Sequence, residues 1–172
     1  MSFTVQDDTG TVAGANAYNT VAEFKTYHDD RGNDYSAFSD EQIQIASING
    51  ADYTDIRFKY IGNKLHGRDQ VTEWPRGDAV DRSGDLVIGV PIEVKEAAME
   101  YAFRALSASL VSDPDRDTTG AVVKSKSEQV GPIKSSVSYA LDGTFSMPRY
   151  PLADQKLLKA GLVVSGGRVR RS

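Results

Sequence analysis

The chain has 172 residues, 24 of them acidic and 20 basic, giving a formal charge of −4, with 40% hydrophobic residues and no cysteine. That length suits one ordinary domain, or one domain with a tail, and the lack of cysteine excludes disulfides, thiol catalysis and thiolate metal sites. A mean hydropathy of −0.41 and no apolar run near the roughly 20 residues of a membrane helix predict a soluble protein with no membrane partner. The opening MSFTVQDDTG has neither a basic flank nor an apolar core, so no signal peptide is expected. Mild acidity also speaks against a protein that coats DNA, because neutralising phosphates takes clustered Lys and Arg.

The charge is unevenly placed. Residues 156–172 carry Lys156, Lys159, Arg168, Arg170 and Arg171 with no acid, a local charge of +5. The other 155 residues hold 15 basic and 24 acidic side chains, a charge of −9. An acidic body with a basic, Gly-containing end reads as a dockable tail or as a frayed terminus.

In chain order, the stretch to Ala17 is rich in Gly and Thr and is expected to be irregular, or a short strand around 3–5. Thr20-Val-Ala-Glu23 has the form of a capping box, and Val21, Phe24 and Tyr27 follow at helical spacing before Gly32. Ser39-Asp-Glu-Gln42 is a second such box. It opens a longer helix with Ile43, Ala46, Gly50, Tyr53 and Tyr60 on one stripe and Ile45, Ile48 and Ile56 on a neighbouring one. That breadth predicts burial on two sides, as in a bundle's central helix or a subunit interface. Gly50 costs about 1 kcal/mol relative to Ala within a helix; a close helix crossing would account for it, and so would chance. Gly62 is the expected cap.

Residues 63–89 lose the pattern and read as a long loop or a pair of turns anchored by Trp74, the single tryptophan. Pro91 suits a helix start, and Val94, Ala97, Ala98, Tyr101, Ala105 and Ala108 predict a helix to near Leu110. Two Val-, Ser- and Lys-rich runs, 122–130 and 133–141, flank Gly131-Pro132 and predict a β-hairpin or extended arm. Residues 153–161 are expected to form a short helix using Leu152, Leu157 and Leu158, before a Gly166-Gly167 hinge and the basic end. The expected fold is thus mainly α, a small helical bundle with a C-terminal hairpin or arm and a basic tail. Its parts are a bundle core at 1–111, an arm at 112–147, and a terminal segment at 148–172.

Chemistry-bearing patterns are few. His28 stands beside Asp29 and Asp30, but neighbouring residues on a helix do not face one another, so a solvated helix end is expected. His66 lies in a polar loop with no serine arranged for a triad. Asp113-Pro-Asp115-Arg-Asp117 resembles the start of a calcium loop and then fails, with Thr118 where Gly and Lys124 where Glu is needed. Pro148-Arg-Tyr-Pro151 fits PxxP, a pattern common by chance. No phosphate-loop, dinucleotide, zincin or hydrolase motif occurs, so no catalytic, metal or cofactor site is expected. Tyr18, Phe24, Tyr27, Tyr53 and Tyr101 sit at helical spacing and are expected in the core rather than on a base-stacking surface.

Several short stretches, in order, resemble a bacteriophage family. They are Ala15-Asn-Ala-Tyr18, His28-Asp-Asp-Arg-Gly32, Ser39-Asp-Glu-Gln42, Gln70-Val-Thr-Glu-Trp74-Pro75-Arg76, Val90-Pro91-Ile-Glu-Val94 and Val130-Gly131-Pro132. The likeness runs from about Val12 to Leu162, with Trp-Pro-Arg its most specific part; Val90 departs from the isoleucine usual before the proline. The family is often labelled DnaT-like, which implies single-stranded DNA binding, and is similar in plan to the head–tail adaptors of tailed phages. The adaptor resemblance implies a virion neck protein, a ring of copies that is commonly twelvefold, contacting the portal and a tail-terminator or tail-tube protein while double-stranded DNA passes through. It makes Leu157, Leu158, Arg168, Arg170 and Arg171 candidate portal-docking residues, and Trp74, Pro75 and Arg76 a candidate structural anchor. The acidic body suits a channel that lets DNA slide, and a DnaT-like single-strand binder is the alternative.

Overall fold

Two reciprocal caps start the first helices. Thr20 Oγ1 accepts from Glu23 N–H at 3.1 Å while Glu23 Oε2 accepts from Thr20 N–H at 2.6 Å, opening α1 (Val21–Asp29). Ser39 and Gln42 repeat the arrangement at 3.3 and 2.9 Å for α2 (Asp40–Arg57). Each pairing satisfies N–H groups that a helix start leaves without partners. α3 (Ile92–Ala105) follows Pro91, and α4 (Pro151–Ala160) begins on a proline and ends at Gly161, whose φ of 75° supplies the left-handed cap. Between α2 and α3 lie a two-residue antiparallel pair, β1 (Asn63–Lys64) and β2 (Arg76–Gly77), and one 3₁₀ turn at Gly67–Asp69. The computed structural model describes residues 2–111, 123–129, 134–139 and 148–164, and the protein is mainly helical.

The chain forms two compact units, one of Met1–Leu110 with Arg149–Ser172 and one of Val111–Pro148. The second holds the expected hairpin: β3 (Val123–Gln129) runs antiparallel to β4 (Lys134–Tyr139), with Lys126 opposite Val137 and a register shift between Val123 and Ser125. The Asp113-to-Asp117 run, the Gly131-Pro132 turn, the Gly166-Gly167 hinge and Arg168, Arg170 and Arg171 lie outside the described residues.

In the first unit the core gathers Phe24, Tyr27, Ile43, Ala46, Met99 and Ala102 from α1, α2 and α3. Tyr18, Tyr53 and Tyr101 are buried as well. Gly50 marks where α2 meets α3: a Cβ there would stand 2.5 Å from the Ala98 carbonyl oxygen and 2.8 Å from Ala102 N. The helix crossing is therefore the reason for the glycine. The backbones approach closely because α3 presents alanines at the contact.

Three expectations change. α2 ends at Arg57, not at Gly62, because the chain turns extended at Phe58 and pairs with the end of the unit instead. Ile61 N–H donates to Leu162 O at 3.1 Å and Val164 N–H to Lys59 O at 2.7 Å. α3 stops at Ala105, one turn before the expected Leu110. Burial of α2 is one-sided within the chain: Ile43 and Ile48 are inside, whereas Ile45 and Ile56 are 40% and 64% exposed.

Candidate functional site

The Gln70-to-Arg76 motif closes on itself. Gln70 Nε2 donates to the carbonyls of Thr72 and Pro75, both at 2.9 Å, and Thr72 Oγ1 donates to Trp74 O at 2.8 Å while accepting from Gln6 Nε2. The peptide bond between Trp74 and Pro75 is cis. Arg76 spreads its guanidinium over Ile61 O (2.7 Å), Gly62 O (2.8 Å) and Glu73 Oε2 (2.6 Å). Lys64 Nζ completes the group at 3.0 Å from Glu73 Oε1. The planar fork of arginine matches this set of acceptors, which a lysine point charge would not. Each polar residue of the motif thus serves the loop itself, and Arg76 has its donors committed within the chain.

Beneath the motif, Trp74 is fully buried, edge-on to Tyr60 with centroids 5.7 Å apart. Its backbone N–H donates to Tyr18 Oη at 3.1 Å, and Tyr18 donates to Asp55 Oδ1 at 2.6 Å. Asp55 Oδ2 accepts from Glu73 N–H at 3.0 Å. Burial pushes the Asp55 carboxyl up to about 7, against the lowering effect of these two hydrogen bonds. Burial likewise holds the Tyr18 and Tyr60 phenols well above their ordinary value, so both remain neutral donors. Tyr18, Gln70, Trp74 and Arg76 belong to stretches that the sequence singled out. Thr72 lies in the same motif, whereas Asp55 and Gln6 carried no signal, because their partners lie up to 66 residues away.

The terminal helix is tied down by polar bonds. Asp154 accepts from Tyr101 Oη at 2.6 Å and pairs with Arg57 Nη2 at 3.2 Å, and Lys156 pairs with Glu96 at 2.5 Å. Leu157 is fully buried in this seam. Its expected role in portal docking is therefore corrected: the spacing of apolar residues on α4 turns Leu157 inward to hold the helix, and Leu158, 41% exposed, faces outward.

His28 is a second correction. It is fully buried, not solvated: its ring lies 4.3 Å from Phe24 and 4.8 Å from Phe103. Nε2 sits 3.2 Å from Met99 O and Nδ1 2.9 Å from Asn33 Nδ2. A carbonyl can only accept, so the Nε2–H tautomer is the one that satisfies both contacts. Burial lowers its pKa. His66 is exposed, with Nε2 2.8 Å from Thr9 O. Among the described residues no group of His, Asp or Glu is arranged to hold a metal, and no helix is long and apolar enough to cross a membrane.

The surface sorts by side-chain type. In the first unit every Phe, Tyr and Trp is buried or half-buried. The large apolar side chains that do reach solvent are aliphatic, among them Leu86, Ile88 (84% exposed), Ile92 and Leu158.

Fold and site together define a small helical protein whose central loop is locked by a buried Trp-Pro-Arg knot. Residues 1–171 match the family described as "Putative DnaT-like ssDNA binding protein", and the chain belongs to that family. No curated protein and no solved structure matches it.

Proposed function

We propose that the chain is a structural subunit, a head–tail adaptor of a tailed phage, assembling as a ring on the portal and passing double-stranded DNA without catalysis. One observation carries this reading: in the first unit the large apolar side chains most open to solvent are aliphatic, while its aromatic rings are buried or half-buried. Aliphatic contacts suit packing between protein subunits, whereas holding single strands takes exposed rings in a basic groove. The charge agrees. Residues 1–110 and 149–164 hold 13 basic and 19 acidic side chains, a repulsive setting for phosphates. In this reading the knot around Trp74 is a rigid anchor, and Leu158 with Arg168, Arg170 and Arg171 meets the portal.

The family description favours the second reading, single-stranded DNA binding, and names DNA as a partner. Its cations would come from the basic terminus and from Lys124, Lys126 and Lys134 of the hairpin runs. One comparison separates the two. Mixed with portal, the protein should appear in negative stain as a ring on the portal, and removal of residues 166–172 should abolish that binding with the fold intact. Undiminished assembly of the shortened chain overturns the terminal contact. Tight, strongly salt-dependent binding of oligonucleotides by the free protein, with no ring on the portal, overturns the adaptor reading in favour of the second.

A further inference from the structure

The outward face of α2 has a composition that the core does not explain. Glu41, Ile45, Asn49, Asp52 and Ile56 follow at three- and four-residue steps, which places them on one side of the helix, and all five are exposed. Neither Glu41 nor Asp52 has an ion pair or hydrogen bond to its side chain among the described residues, whereas Asp40 on the same helix is paired with Lys25 at 2.6 Å. Partial burial lifts the Asp52 carboxyl above its ordinary value, with no countering charge among the described residues. An aliphatic stripe set with two unmatched acids calls for a partner with an aliphatic residue among cations.

The chain supplies such a segment at the right place. Val164 N–H donates to Lys59 O at 2.7 Å, so the last described residue lies just beyond the C-terminal end of α2. Eight residues follow, Ser-Gly-Gly-Arg-Val-Arg-Arg-Ser, with three arginines and no acid. Eight residues reach about 27 Å when extended. Glu41 lies about 24 Å from the end of α2 at Arg57 at the helical rise, and Arg171, seven residues past Val164, has about 24 Å of backbone and the length of its side chain with which to reach it. The first three, Ser165, Gly166 and Gly167, are uncharged and cover the distance past Lys59 before the first arginine.

We propose that the outer face of α2 is the docking site of residues 165–172 of the same molecule, Val169 lying along the aliphatic stripe between Ile56 and Ile45 and Arg168, Arg170 and Arg171 meeting Glu41 and Asp52. Docked there, the terminus is withheld from partners, and a partner must displace it to use those arginines. The inference stands apart from the adaptor reading, since a portal and a DNA strand would both compete for the same cations.

The chain has no cysteine, so a Ser172→Cys variant of the full-length protein takes a single spin label. Amide resonances of α2 in that protein should broaden, most strongly between Gln42 and Asn49. In the Glu41→Lys/Asp52→Lys background the broadening should fall roughly tenfold, as two surface pairs are replaced by repulsion. It should fall similarly at about 0.5 M salt, where screening is strong. An Arg168→Ala/Arg170→Ala/Arg171→Ala variant, which leaves α2 untouched, should give the same loss. Broadening that ignores all these changes overturns the proposal, as does its absence from the unaltered chain. Broadening that appears only when spin-labelled chains are mixed with isotope-labelled ones assigns the site to a second copy and overturns docking within one molecule.

Discussion

The crossing of α2 with α3 and the loop from β1 to β2 are both held by close contacts, of opposite kinds. The crossing is held by shape: alanines on α3 face Gly50 on α2, and the contact leaves no room for a Cβ. The loop is held by directed bonds, with Gln70, Thr72, Arg76, Tyr18 and Asp55 each paired to a specific acceptor or donor. Packing tolerates little change in volume but is indifferent to proton balance. A polar knot tolerates some change in volume but depends on protonation and on every partner being present. Each region should therefore fail in its own way.

The largest effect is expected at the knot's apolar floor. Trp74→Ala should cost about 3–5 kcal/mol, read as a lowered urea midpoint, because it opens a cavity against Tyr60. Trp74→Phe should cost much less, below about 1.5 kcal/mol, since Trp74 Nε1 finds no acceptor among the described residues and its loss removes a buried unsatisfied donor. A loss from Phe as large as from Ala would mean that the indole nitrogen has a partner after all.

Gly50→Ala should come next, at about 1–3 kcal/mol of overpacking, offset by the roughly 1 kcal/mol that alanine contributes to helix propensity. The added methyl meets backbone on α3, which cannot swing aside as a side chain could. A neutral or stabilising result would show that the two helices separate easily.

The pH dependence divides the two regions by sign. Asp55 in the knot has its carboxyl raised from 3.8 to about 7. The folded chain therefore binds more protons than the unfolded one across that range, and this group's contribution declines as pH rises from about 4 to about 7. His28 in the helical part has its pKa lowered from 6.5. The unfolded chain then binds the extra proton, and this contribution is lost as pH falls below 6.5. In urea titrations, Asp55→Asn should flatten the first trend and His28→Gln the second. Both variants keeping the slope of the unaltered protein would refute the assignment. The smallest effect is expected on the outer face of α2, where Ile56→Thr should change the unfolding free energy of the isolated chain by less than about 0.5 kcal/mol, read from urea denaturation.

Much of the helical part was legible because its signals are local. Both capping boxes formed where the spacing of Thr20 with Glu23 and Ser39 with Gln42 placed them. The hairpin appeared where β-rich runs flanked a turn. The loop was legible as a loss of pattern around an anchoring Trp74, but not the bonds that fix it, because those to Gln6, Tyr18 and Asp55 are recorded in no periodicity. His28 misled for a related reason: its neighbours Asp29 and Asp30 are polar, but Phe24, Asn33, Met99 and Phe103 decide its surroundings.

The amino-acid sequence by itself determined where the capped helices begin, that Phe24, Tyr27, Ile43, Ala46, Tyr53 and Tyr101 line their inner faces, and that the C-terminal third leaves the helical pattern. These depend on groups a few residues apart, so the chain encodes them locally. Tertiary structure alone decided where α2 stops, that Leu157 and His28 are inside, and that Asp55 sits uncharged-prone beneath Trp74. Those outcomes depend on segments such as 59–61 and 162–164, some hundred residues apart in the chain, meeting and satisfying each other's backbone hydrogen bonds.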